Sequence, residues 1–174
     1  MRSIIKSTLV LSMLLGGVNG CVSTSDIHVA QESDPKANLS AYKTYQFIEE
    51  SGVVAKSRSQ AERYEDQRVA QTIELLINES LQKHGKRPTS KHPDFYVAYI
   101  GGSSDEAAKA HLNAKGKEMV AKHGNAALLI LLIDAKSGEV LRVATAEAEA
   151  KHLPQEQMQQ RLRFAIEKML KGVS

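Results

Sequence analysis

The sequence predicts an α+β domain in which a mostly antiparallel sheet of about four strands is packed by two amphipathic helices, in the order β-α-β-(weak α)-β-β-α. Three observations carry that expectation. Apolar residues recur at helical spacing in two stretches, one from Asp66 to Lys83 and one after Pro154, and each stripe needs a second layer to bury it. Short runs rich in aromatic and aliphatic residues lie before and between them, at Ala41–Ile48, Phe95–Ile100 and Ala126–Ile133. The turn Lys136-Ser137-Gly138 is short enough to fold the last of these runs back as a hairpin.

Each element has its own justification. Ala41–Ile48 alternates, with Tyr45 and Phe47 on one face and Thr44 and Gln46 on the other, the period of a half-buried strand. Glu49–Glu65 is polar, contains Gly52 and reads as a loop. From Asp66, a plausible cap, the residues Val69, Ile73, Leu76, Ile77 and Leu81 form one helical stripe that Lys83-His84-Gly85 stops. Pro93-Asp94 introduces Phe95–Ile100, apolar on both faces and so a buried strand, which ends at Gly101-Gly102-Ser103-Ser104.

Asp105–His123 has helical composition but a weak stripe (Ala107, Ala108, Leu112, Met119, Val120), and Gly116 costs such a helix about 1 kcal/mol against alanine. Ala126–Ile133 is a continuous apolar run, the pattern of a central strand. Glu139–Ala150 begins as a strand former and turns rich in Ala and Glu. The short turn before it makes it the returning edge strand, with Glu147 and Glu149 on its wet face. Pro154 opens the last helix, which buries Met158, Leu162, Ala165, Met169 and Leu170 and ends before Gly172.

The amino-terminal residues are of another kind. Met1–Lys6 carries Arg2 and Lys6, Ser7–Leu15 is apolar, and small residues lead to Cys21, the only cysteine. That is the layout of an export signal, and the apolar run is far short of the roughly 20 residues that span a bilayer. Val18, Gly20 and Cys21 resemble the cleavage box of bacterial lipoproteins, with Asn19 bulkier than usual. The resemblance implies removal of residues 1–20 and a lipidated Cys21, bearing a thioether-linked diacylglycerol and an acylated amine. Two or more acyl chains hold stably to a bilayer where one binds only marginally, so the first partner implied is a membrane, through the lipid anchor. Val22 and Ser23 follow, with no aspartate next to the cysteine, which by the same resemblance implies the periplasmic face of a Gram-negative outer membrane.

Val22–Asp34 lacks apolar periodicity and reads as a tether after the lipidated residue, spanning about 20 Å if flexible. Residues 35–174 then form a single domain. The chain's 23 Lys and Arg face 20 Asp and Glu, and the leader takes away two of the cations. A near-neutral surface with interspersed signs offers nothing to nucleic acid, which needs clustered cations.

Three stretches, taken in order after that leader, resemble the DUF4136 family of bacterial lipoproteins. The first is Asp34, Leu39 and Tyr42-Lys43-Thr44-Tyr45. The second is Ile73, Ile77 and Leu81, then Lys83-His84-Gly85, then Pro93-Asp94-Phe95-Tyr96-Val97 with Tyr99. The third is Leu132-Ile133-Asp134-Ala135, the Ser137-Gly138 turn and Val140-Leu141-Arg142. The resemblance runs from about Asp34 to Leu170. Phe47 and Leu141 stand where the family often carries tryptophan, a residue this chain lacks. The family implies no established activity.

No catalytic, cofactor-binding or metal-binding residue emerges. The histidines His28, His84, His92, His111, His123 and His152 form no HExxH and no close cluster. Ser103 lacks the glycine–serine elbow of hydrolases. Asp94 and Asp134 sit beside turn residues, where aspartate accepts hydrogen bonds from local backbone. Tyr42, Tyr45, Tyr96 and Tyr99 could line an apolar groove, although packing in the core with tethered hydroxyls is commoner. The expected function is therefore a non-enzymatic envelope lipoprotein that meets a periplasmic protein partner. Its alternatives are a carrier or sensor of an apolar small molecule or lipid and, less favoured, a hydrolase of envelope polymers.

Overall fold

The computed structural model describes residues 22–49, 51–53, 59–103 and 125–174. The leader, Cys21 and the weak helix expected over Asp105–His123 lie outside the described residues. The elements are β1 (His28–Ser33), a 3₁₀ turn (Leu39–Ala41), β2 (Thr44–Phe47), β3 (Gly52–Val53), α1 (Gln60–Lys83), β4 (Arg87–Pro88), β5 (Phe95–Ser103), β6 (Asn125–Asp134), β7 (Val140–Glu149) and α2 (Gln155–Met169).

All seven strands join one sheet in the order β1-β7-β6-β5-β2-β4, with β3 also on β5. The expected mostly antiparallel sheet of about four strands is thus corrected to a mixed sheet of seven. β1, β7, β6 and β5 pair antiparallel in sequence. β2 pairs parallel with β5 and β4, and β3 pairs parallel with β5. The physical reason is the connection: strands joined through a long helix return in the same direction, and α1 lies between β2–β3 and β5. β2 and β3 act as one strand broken by a turn. The Ile48 amide still donates to the Val97 carbonyl at 2.9 Å, and the Ser51 hydroxyl then accepts from the Tyr99 amide at 3.2 Å.

Two further expectations are corrected at the other edge. The segment Val22–Asp34 is not a free tether, because His28–Ser33 pairs with Glu147–Arg142 as β1. β7 is consequently an interior strand, flanked by β1 and β6. Arg142 fixes this arrangement. It is buried, and its guanidinium donates to the Ser33 hydroxyl (2.9 Å), the Gln31 side-chain oxygen (3.2 Å) and the Lys171 carbonyl (2.7 Å), joining β1, β7 and the end of α2.

The two helices of the described residues lie on one face of the sheet. The stripe Ile73, Leu76, Ile77 and Leu81 of α1 and the stripe Ala165, Ile166 and Met169 of α2, with Leu170, bury against Phe95, Val97 and Tyr99 of β5 and Leu128, Ile130 and Leu132 of β6. α1 starts at Gln60, six residues before the expected Asp66. Gln60 and Arg63 to Glu65 are exposed, so no stripe announces these turns. The stop is the expected one: Gly85 takes φ +77°, and the Lys86 amide closes on the Leu81 carbonyl at 3.0 Å, a helix end that favours glycine because it lacks a Cβ.

Candidate functional site

The residues that make the site are small. Where β5 ends, Gly101 and Gly102 oppose Leu128 and Ala127 of β6, and Ala126 opposes Ala148 of β7. Glycine and alanine on three adjacent strands cannot fill the space up to the helices, so an apolar cavity of about 360 Å³ opens there. Val69 and Ile73 of α1 and Met158, Leu162 and Ala165 of α2 form its roof. At the opposite end of the same layers Phe95, Leu132, Met169 and Leu170 close the gap completely.

Polar groups gather at the cavity's edge and satisfy one another. Arg161, on the buried stripe of α2, grips the Asp26 carboxylate with both terminal nitrogens (2.6 and 2.9 Å) and donates to the Ser23 carbonyl. Lys151 reaches Glu149 at 3.0 Å and Asp26 at 3.2 Å. The Arg161 guanidinium holds the Asp26 carboxyl well below the usual carboxylate range, and Asp26 in turn raises Arg161. Glu149 and Asp26 raise Lys151. Ile27, one residue after Asp26, lines the wall together with His152. Among the described residues no hydrogen bond joins His152 to a carboxylate.

The candidates singled out from sequence lie elsewhere or outside the described residues, and the structure gives them structural partners. Cys21 lies outside the described residues, as do His111 and His123. Asp94 accepts from the Lys43 and Thr44 amides at 2.7 and 2.8 Å, and these hold its carboxyl below the ordinary value. Its partners are therefore on β2 and the residue before it, not in its own turn. Asp134 does cap its local turn, through the Lys136 and Ser137 amides at 2.8 and 2.7 Å. It also accepts from the Tyr42 hydroxyl at 2.6 Å, which pulls the Asp134 carboxyl down to about 2 and pushes the Tyr42 phenol up to about 12.

Burial likewise pushes Tyr45 and Tyr99 up to about 12, and their hydroxyls are tethered to Asn78 and to the Ala70 carbonyl. None of these tyrosines lines the cavity. His84 contacts the Ser174 hydroxyl at 3.3 Å, and His92 takes φ +49° at the edge of an open depression beside Asp94. Among the described residues no group of three or more His, Cys, Asp or Glu could hold a metal ion, and no helix is long and apolar enough to cross a membrane.

Sequence reasoning allowed for a cavity between the helices and the sheet but did not place it, and it missed Arg161 and the buried Lys86, whose ammonium donates to the Leu39 and Tyr42 carbonyls at 2.8 Å each. The cavity did leave a signal: Gly101-Gly102, Ala126-Ala127 and the alternate alanines Ala144, Ala146 and Ala148 lie on strands that meet.

The described residues thus form a mixed sheet with two helices on one face and an apolar cavity at one end. The chain belongs to the DUF4136 family, a domain of unknown function whose model matches residues 29–172. A DUF4136 family protein from Bacteroides thetaiotaomicron shares the fold at TM-score 0.56 and 9% identity, covering 82% of this chain and 95% of its own. A PelC dodecamer from Paraburkholderia phytofirmans aligns at TM-score 0.51 and 12% identity, covering 84% of this chain and 96% of its own. A point variant of that protein, also a dodecamer, gives 0.51 and 15% over 84% and 96%. At these identities the likeness is one of fold alone. No curated protein matches the chain.

Proposed function

We propose that this protein is a lipid-anchored envelope protein, held at the periplasmic face of a Gram-negative outer membrane through acylated Cys21, whose domain is a non-enzymatic binding module for an apolar ligand. The carrying observation is the cavity. It has aliphatic walls over a glycine and alanine floor, and its arginine and lysine are already neutralised by Asp26 and Glu149. Such a space favours an apolar occupant.

Native mass spectrometry on protein released from envelopes tests the binding reading: a retained apolar adduct supports it, and protein that emerges without one and takes up no apolar dye overturns it. The anchor is tested separately by the intact mass and membrane fractionation of wild type and Cys21→Ser. A second reading, self-assembly in the envelope, is favoured by the dodecamers of PelC and by the outer edge of β1, the last strand on its side of the sheet. Light scattering on solubilised protein distinguishes a monomer from a dodecamer.

A further inference from the structure

We infer that the cavity houses a single acyl chain of a phospholipid drawn from the leaflet in which Cys21 is anchored. The inference deepens the binding reading above and rests on its lipid anchor. The decisive feature is where the chain leaves the domain. Arg161 lines the cavity and holds both the Ser23 carbonyl and the Asp26 side chain, and Ile27 is part of the wall. Cys21 precedes Ser23 by two residues, so its Cα lies within about 8 Å of that of Ser23 by covalent geometry alone. An anchor at Cys21 therefore brings this end of the domain to the bilayer surface, where the effective concentration of acyl chains is highest.

Size and charge narrow the occupant further. A volume of about 360 Å³ lies near the bottom of the range of roughly 300–1,000 Å³ typical of ligand sites, which suits one slender chain and not a whole two-chain lipid. The charges at the edge form Arg161–Asp26 and Lys151–Glu149 pairs. Neither cation needs a headgroup phosphate, so recognition falls on the chain, and zwitterionic and anionic phospholipids are equivalent occupants.

The test uses mature acylated protein reconstituted in phosphatidylethanolamine vesicles doped with a phospholipid carrying a photoreactive group at its acyl terminus. The headgroup of the dopant is ethanolamine in one arm and glycerol in the other. Irradiation followed by peptide mapping is expected to place adducts on the peptides of Ile73, Met158 and Leu162 in both arms, in similar yield. Ala148→Leu, which fills the floor, is expected to lower that yield about tenfold, the effect of roughly 1.4 kcal/mol of lost affinity. Ala126→Leu on the facing strand fills the same space and serves if the first variant melts early.

Adducts confined to the peptide of Cys21 and Val22, yields unchanged in both filled variants, or labelling only by the anionic dopant would each overturn the inference and leave the anchor standing. An intact mass without acyl groups overturns the anchor itself, and with it this inference.

Discussion

At the scale of single residues, Arg161 does the most for the site. It is 8% exposed, and it ties the segment before β1 to α2. Arg161→Ala removes a charge-assisted, two-pronged bond and leaves the partly buried Asp26 without its main partner, a loss of about 1.5–3 kcal/mol. Urea unfolding should show that drop, and hydrogen exchange should show faster opening at Ser25–Ile27. Arg161→Lys keeps the charge but not the planar fork, so it should recover only part of the loss.

The carboxylates and phenols set the pH limits of the fold. Asp26, Asp94 and Asp134 all sit below the ordinary 3.8 in the folded state. Their contribution is complete above that value and is lost as pH falls, through about 2 in the case of Asp134. Tyr42, Tyr45 and Tyr99 are raised from 10.0 to about 12, so their contribution is complete below pH 10 and is lost as pH rises towards 12. Thermal melts across pH should therefore show a plateau with acid and alkaline shoulders. Tyr42→Phe should weaken both, because it removes the donor that depresses Asp134 as well as the phenol itself.

At the scale of elements, the helices illustrate what a stripe is worth. Ile77 is fully buried under the sheet, whereas Leu75, two positions earlier on the same helix, is half exposed. Ile77→Ala should cost about 2–5 kcal/mol through lost burial and a residual cavity, and Leu75→Ala should stay within roughly 0.5 kcal/mol. Chemical denaturation of the two variants side by side checks the contrast.

The same stripes make α1 and α2 legible in the sequence, while β5 and β6 show as unbroken apolar runs and β7 follows from the short turn before it; each carries a signal that survives without knowledge of its neighbours. β1, β3 and β4 do not share that property. β1 is polar at most positions and becomes a strand because β7 offers it a backbone edge, while β3 and β4 contain two residues each, too few to show a period.

At the scale of the whole molecule, the mixed sheet follows from one connection, the 24-residue helix α1, and its implication of parallel neighbours was available in the sequence. The candidate site was not. It is defined by volume left unfilled where Gly101, Ala126 and Ala148 meet, and small residues announce a cavity only once their strands are known to be adjacent. The local β6–β7 hairpin needs a short turn, whereas β1 meets β7 across more than 100 positions, as in the Arg142–Ser33 pair 109 residues apart. Because closing long loops is slow, pulse-labelled refolding should find β6 and β7 protected against exchange before β1. Simultaneous protection of all three would contradict that order.

The wide separation of β1 from β7 makes the opening strand a verifier of length. A polypeptide interrupted anywhere upstream of Glu147 leaves His28 with no mate, so the first strand finds its seat only once almost the entire message has been translated. A product cut short there leaves the backbone groups of β6 that β7 would engage without their strand partner.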